Sequence, residues 1–206
     1  MNMTVTGIVE LDKRRNKVFL DGEFAFVLYK GELRDYKITV DAELGMEQYQ
    51  EIMTELLPRR AKIRAMNLLT ARAYTESKLR QKLKEGFYPE QIVEQAIEYV
   101  KSYGYVDDRA YAAEYISYHA DKLNQQQIEQ KLLQRGLSKE MIRQALEEFF
   151  AKEGSIDEIA QITKLLERKH DRKENMTVEE QQRIRAMLYR KGFRSDNILK
   201  AMDAFT

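Results

Sequence analysis

The chain has 206 residues, 43% of them hydrophobic and 33% charged, and carries no apolar run long enough to span a membrane, so its length suits one ordinary domain or several small modules. A net charge of +1 gives no global sign of a nucleic-acid binder, and any electrostatic argument must rest on how the charges are distributed. The absence of cysteine excludes disulfides, thiolate metal sites and a cysteine nucleophile, and residues 1–11 lack the pattern of a secretion signal, so a cytoplasmic location is expected.

Residues 4–11 and 17–20 are rich in β-formers around a polar turn at 12–16, which predicts a hairpin. Asp21-Gly22 then supplies a turn tolerant of positive φ before Phe24 to Tyr29, a run bulky on both faces. The expectation is a small three-stranded sheet that must lean on a neighbouring helix, because three short strands bury little surface. Residues 46–57 are the first candidate for that helix, ending near Pro58.

From about Ala61 helical spacing takes over, together with an internal repeat. Gly86, Gly136 and Gly192 fall in register within Lys-Leu-Lys-Glu-Gly-Phe, Leu-Leu-Gln-Arg-Gly-Leu and Leu-Tyr-Arg-Lys-Gly-Phe. Each reads as a helix end closed by a left-handed glycine and an apolar residue folding back, with one extra residue in the first turn. Asn124 with Gln127, Thr177 with Glu180 and Ser155 with Glu158 predict capping boxes, whereas Thr75 has Lys78 three residues on. Pro89 is expected at a first helical position, and Ser138 and Ser195 as starts of the helices after the glycines. With leading helices at 61–73, 108–121 and 155–170, the chain reads as mainly α: an N-terminal β extension plus helix at 1–58, then three-helix copies at 59–106, 107–152 and 153–206. A unit of this size is expected to stack on its neighbours, giving an elongated curved rod.

Few residues announce chemistry. His119 and His170 fall near predicted helix ends, where a cationic imidazole complements the helix dipole. Asp107-Asp108 could pass for a magnesium pair, with Glu114 as a third carboxylate. An N-cap at Asp107 and a first-turn charge at Asp108 account for them better. No Walker loop, GxSxG elbow or HExxH motif is present, and no cofactor or small-molecule substrate is called for.

Residues 59–85 hold nine cations (Arg59, Arg60, Lys62, Arg64, Arg72, Lys78, Arg80, Lys82 and Lys84) against two acids, a net +7, whereas residues 86–118 carry a net −4. The basic stretch suits an acidic partner surface or phosphates, and is equally what a solvated helix face shows. Tyr99, Tyr103, Tyr105, Tyr111, Tyr115 and Tyr118 cluster next. Packing between the first and second copies is the expected role, with stacking on unpaired bases as the alternative.

The stretch from Gly104-Tyr105-Val106-Asp107-Asp108 through Arg109-Ala110-Tyr111-Ala112 resembles the signature of the RecX family, and with the triplet repeat the resemblance covers residues 61–205. The residues 20–24, Leu-Asp-Gly-Glu-Phe, resemble the extension many members carry; Lys78 and the polar joint at 171–176 depart from the pattern. The resemblance implies a non-catalytic regulator that lies on the RecA filament on single-stranded DNA and modulates its assembly and activity in recombination, DNA repair and the SOS response. The cations above would form the partner surface, with single-stranded DNA as a further partner, no membrane, and a monomeric state. A helical-repeat protein binding single-stranded nucleic acid directly is the alternative.

Overall fold

The computed structural model describes residues 2–169 and 176–205. It divides into two compact units at Asp107/Asp108, each taken by itself below.

In the first unit, β1 (Met3–Glu10), β2 (Arg15–Leu20), β3 (Glu23–Tyr29) and a two-residue β4 (Glu43–Leu44) form an antiparallel sheet in the order β3-β2-β1-β4. The expected three strands are thus joined by a fourth, which pairs with the start of β1. Asp21 and Gly22 take φ of 48° and 87°, the pair of left-handed residues a tight hairpin needs. Val18 stands opposite Phe26 and points inward with Val5, Leu20 and Leu28. This face packs on Ile52, Leu57, Ala61 and Ala65, so the sheet does lean on a helix.

That helix corrects an expectation. α1 (Lys30–Asp35) is a short turn, but α2 (Met46–Glu51), a π-helical segment (Ile52–Leu56) and α3 (Leu57–Ala71) run on without a break. Pro58 therefore lies inside a helical run rather than ending one. Proline removes an N–H and crowds the preceding turn; the wider π turn, in which Leu57 N–H reaches the Ile52 carbonyl, takes up that mismatch. α4 (Glu76–Lys84) and α5 (Glu90–Ser102) complete the first copy, burying Leu79, Leu83, Ile92, Ile97 and Val100 against the same core.

The second unit holds two copies. α6 (Asp108–His119), α7 (Gln125–Gln134) and α8 (Lys139–Glu153) surround Ile116, Ile128, Leu132, Ile142 and Leu146. α9 (Glu158–Lys169), α10 (Val178–Arg190) and α11 (Ser195–Phe205) surround Ile162, Leu166, Ile184, Leu188 and Met202. Buried polar side chains join the two. Asn124 forms the expected box with Gln127, and its amide also donates to the Lys191 carbonyl at 2.9 Å. Gln161 donates to the carbonyls of Ala120 (2.7 Å) and Leu123 (3.1 Å).

Thr75, Ser138 and Thr177 cap their helices as expected. Ser155 does not: α9 starts at Glu158, with Asp157 accepting the Ala160 N–H at 2.9 Å. Glu158 is drawn instead to α11, where it accepts from Arg194 N–H (3.2 Å) and the Asn197 amide (2.9 Å). Ser195 is the first residue of α11, as expected. Pro89 sits at the N-cap, one residue before the predicted place.

The helix ends confirm the repeat and shift its register. Gly136 and Gly192 both take φ of 85°, and Leu137 and Phe193 fold back with N–H bonds to Leu132 and Leu188, a Schellman turn. Gly86 is not left-handed; Phe87, one residue on, is, at φ 64°. Counting from the buried leucines Leu83, Leu132 and Leu188, Phe87 occupies the place of the two glycines. A side chain there costs roughly 1 kcal/mol of backbone strain. The sheet offsets it: the Phe87 ring meets Phe24 edge-on (6.3 Å) and sits beneath the Lys17 ammonium (4.4 Å).

Gly136→Val should destabilise the second unit by about 1–3 kcal/mol, because a β-branched residue tolerates the left-handed region poorly. Thermal melting of the full chain checks this; an unchanged midpoint would mean that the turn has another way to close.

Candidate partner-binding surface

The nine cations singled out in the sequence lie on α3, on α4 and in the link between them, and the fold gives them different tasks. α3 carries Arg59, Arg60, Lys62 and Arg64 with no acid of its own. Arg59 and Arg64 are exposed. Arg60 is turned inward: its side chain is only 15% exposed, pairs with Glu32 at 2.8 Å and donates to the Val27 carbonyl at 3.2 Å. It also stacks over the Tyr29 ring at 4.4 Å. Such a guanidinium fastens β3 and α1 to α3 and has little left for a partner. Lys62 and Arg72 are placed over Tyr99 (5.1 Å) and Tyr74 (4.7 Å).

On α4, Arg80 bridges Glu76 and Glu94, while Lys101 also holds Glu76 at 2.6 Å. The Lys101 ammonium, followed by Arg80, keeps the Glu76 carboxyl below its ordinary range despite partial burial. Lys82 pairs with Glu85 (2.6 Å) and Lys84 with Glu90 (2.7 Å), while Lys78 reaches Gln81 at 3.1 Å. Lys84 is exposed and Lys78 and Lys82 half-buried, so the outer side of α4 is less open than the helical spacing predicts. Arg80 and Arg60 are absorbed by acids distant in sequence, which a local charge count cannot anticipate.

α6 begins at Asp108, which puts Asp107 directly before its first turn and Asp108 within it, the positions expected of a cap and a first-turn acid. Among the described residues, no three His, Asp or Glu side chains gather to hold a metal ion, and no helix is long and apolar enough to cross a membrane.

His119 is the last residue of α6, as expected, but its surroundings disfavour the cation. Burial first, then the positive charges of Lys122, Arg135 and Lys131, push its imidazole below the ordinary 6.5. It lies instead against Tyr115, ring to ring at 4.2 Å. His170 falls outside the described residues. Tyr111 and Tyr115 pack into the second copy's own core, and the Tyr111 hydroxyl accepts from Arg135 Nε at 2.9 Å. Tyr99, Tyr103 and Tyr105, by contrast, stand in solvent.

Tandem three-helix modules closed by left-handed turns define a helical-repeat protein. Comparison with known families assigns it further. Residues 61–99, 107–146 and 156–202 match the first, second and third three-helix domains of RecX. The regulatory protein RecX of Caldanaerobacter subterraneus subsp. tengcongensis is 30% identical over 203 residues, covering 98% of this chain and 99% of that one. The regulatory protein RecX of Clostridium beijerinckii is 30% identical over 144 residues, or 70% of this chain and 68% of that one. A crystal structure of a regulatory protein RecX superposes with a TM-score of 0.58 at 25% identity, covering 98% of this chain and 99% of the other. RecX from Lactobacillus salivarius shares the fold, with a TM-score of 0.60 at 20% identity over 72% of this chain and 96% of that one. The chain belongs to the RecX family.

Two outcomes follow from the placement of these side chains. Arg60→Ala should lower the stability of the first unit by about 1.5–3 kcal/mol, leaving Glu32 half-buried without its partner. Thermal melting would show it, and a loss of less than half a kcal/mol would return Arg60 to the surface set. His119, followed by NMR, should titrate below about 6.5. Because its folded-state pKa is depressed, the unfolded chain binds the proton more readily. Stability should therefore fall as pH drops through about 6.5 and level off below the folded-state value.

Proposed function

We propose that this protein is a regulator acting by binding alone, which docks on the RecA recombinase filament on single-stranded DNA and alters its growth, disassembly or activity. The observation that carries this reading is the match of all three tandem domains, in order, to RecX. RecA enters through what resemblance to that family implies. The relatives are named as regulatory proteins, which favours a role without catalysis in recombination, repair and the SOS response. The protein would work in the cytoplasm as a monomer, since three weakly binding modules in one chain can sum their contacts on a repetitive filament.

Arg59 and Arg64 on α3, with Lys78, Lys82 and Lys84 on α4, are the cations we assign to the partner. Lys62 and Arg72 support them, and Arg60 and Arg80 hold the surface in shape. The net +7 of residues 59–85 favours a second reading, direct contact with the phosphates of single-stranded DNA.

One pair of experiments separates the two. The double substitution Lys78→Glu with Lys82→Glu changes the charge by −4; it should cost less than about 1 kcal/mol in the melt, since the ion pair it removes is a surface one. Co-sedimentation with RecA filaments on single-stranded DNA should weaken markedly. Binding to bare DNA should be weak before and after if RecA is the partner. If phosphates are contacted, each lost contact should instead flatten the log affinity against log salt slope by about 0.7. Unaltered binding in both assays would remove these lysines from the site.

A further inference from the structure

The second copy leaves open a groove that the first copy closes. In the second unit, a groove of about 460 Å³ lies between α7 and α8, with Leu133, Ile142, Leu146 and Phe150 as its apolar lining. Leu133 is 40% exposed and Phe150 half-buried. At the Phe150 end it meets a second hollow of about 480 Å³, which shares Gln125 and Phe150 and runs on to Ile156 and Ile159. The space is long and largely apolar, which suits an elongated chain segment better than a compact ligand.

Counting from the buried Leu83 and Leu132 matches the two copies position by position. In the first copy Lys84 and Glu90 pair across the equivalent place at 2.7 Å. Arg80 ties Glu76 to Glu94 there, and Lys101 also holds Glu76. The second copy has Leu133 for Lys84, Phe150 for Lys101 and Lys139 for Glu90, so those bridges are lost. Arg143, in place of Glu94, pairs with Glu140 and Glu147 on its own helix at 2.6 Å each. Glu129, in place of Arg80, accepts the Gln125 amide at 2.7 Å. No bridge spans the groove among the described residues.

We propose that this groove docks an amphipathic segment of a protein partner, with apolar side chains on the lining and a carboxylate at Lys139. Charge selects the carboxylate. The residue facing the place of Lys139 is now Leu133, so the ammonium has lost the counter-ion that its equivalent keeps in the first copy. Lys139 is exposed, and among the described residues it meets no acid. It also stands in the first turn of α8, where a cation opposes the helix dipole. A charge kept against its local preference, on the rim of an apolar groove, is complementary to an incoming anion. Glu129 offers a cation less, being half-buried and already bonded to an amide. A phosphate chain is the poorer fit, because its charges would run past Glu129 and Glu147 on the same lining. The groove shares no residue with the cations of α3 and α4, so either assignment can fail without the other.

The test uses the full chain and labelled probes: a short helical peptide of leucine and serine with glutamate at one end, its versions with glutamine or lysine for the glutamate, its version with serine for every leucine, and an oligothymidylate. Fluorescence anisotropy should show binding of the glutamate peptide, weaker binding of the glutamine one, and none of the lysine or all-serine ones. Lys139→Glu should weaken the glutamate peptide by roughly 5- to 20-fold, and Lys139→Arg should retain it. Leu133→Glu should also abolish binding, because it gives Lys139 an internal partner and restores, with signs reversed, the pair of the first copy. Lys131→Glu, on the part of α7 near His119, should leave the peptide unaffected. These side chains are exposed, so melts should stay near the native one, and circular dichroism checks that the variants fold. Failure to bind the glutamate peptide, equal binding by Lys139→Glu, or equal binding of the all-serine peptide would overturn the proposal. So would a loss confined to oligothymidylate, which would make Lys139 a phosphate contact.

Discussion

Each three-helix copy depends on turning the chain sharply after its middle helix, and an ordinary residue resists that turn. One position must take positive φ so that the next residue can fold back and cover the last helical turn. Gly136 and Gly192 meet the requirement without strain, and Leu137 and Phe193 are the residues that fold back. At Gly192 a Cβ would lie 2.3 Å from Oε1 of Gln126 on α7, the end of a flexible side chain that can move aside, so φ is the stronger constraint. The first copy solves the same problem with Phe87, trading backbone strain for ring contacts with β2 and β3. The sheet is thereby more than an appendage, because it stabilises the conformation that the first copy needs.

Helix ends also join the copies of the second unit. A helix leaves amides unsatisfied at its start and carbonyls at its end, and burying either without a partner costs about 1–3 kcal/mol. Asn124 meets both demands at once: its oxygen caps α7, and its amide takes the carbonyl left at the end of α10. Gln161 closes the carbonyls after α6 in the same manner, and Glu158 accepts the backbone N–H of Arg194 just before α11. Polar side chains buried in this way are specific to one arrangement, because a displaced neighbour would strand them.

The repeat, the capping residues Asn124, Thr177 and Ser138 and the position of Asp107 were legible because each depends on neighbours three or four residues away. The hairpin turn at Asp21-Gly22 was legible for the same reason. The misreadings share the opposite property. Pro58 looked like a helix end since nothing local reports a π turn upstream of it. Glu158 fitted a capping box with Ser155, yet its partners Arg194 and Asn197 lie more than thirty residues on. Arg60 and Arg80 counted as surface charge until Glu32 and Glu94 were found against them. In the tyrosine cluster six rings look alike in sequence, and only the fold separates those that line a core from those left in water.

The uninterrupted helical run from 46 to 71 has a mechanical consequence. At 1.5 Å per residue it measures roughly 39 Å, one strut that begins under the sheet and ends beside α4. The family's first three-helix domain begins at residue 61, inside that strut, so the boundary between extension and repeat is not a joint in the helix. A pull or a twist applied to the hairpin would pass along the helix axis as through a lever.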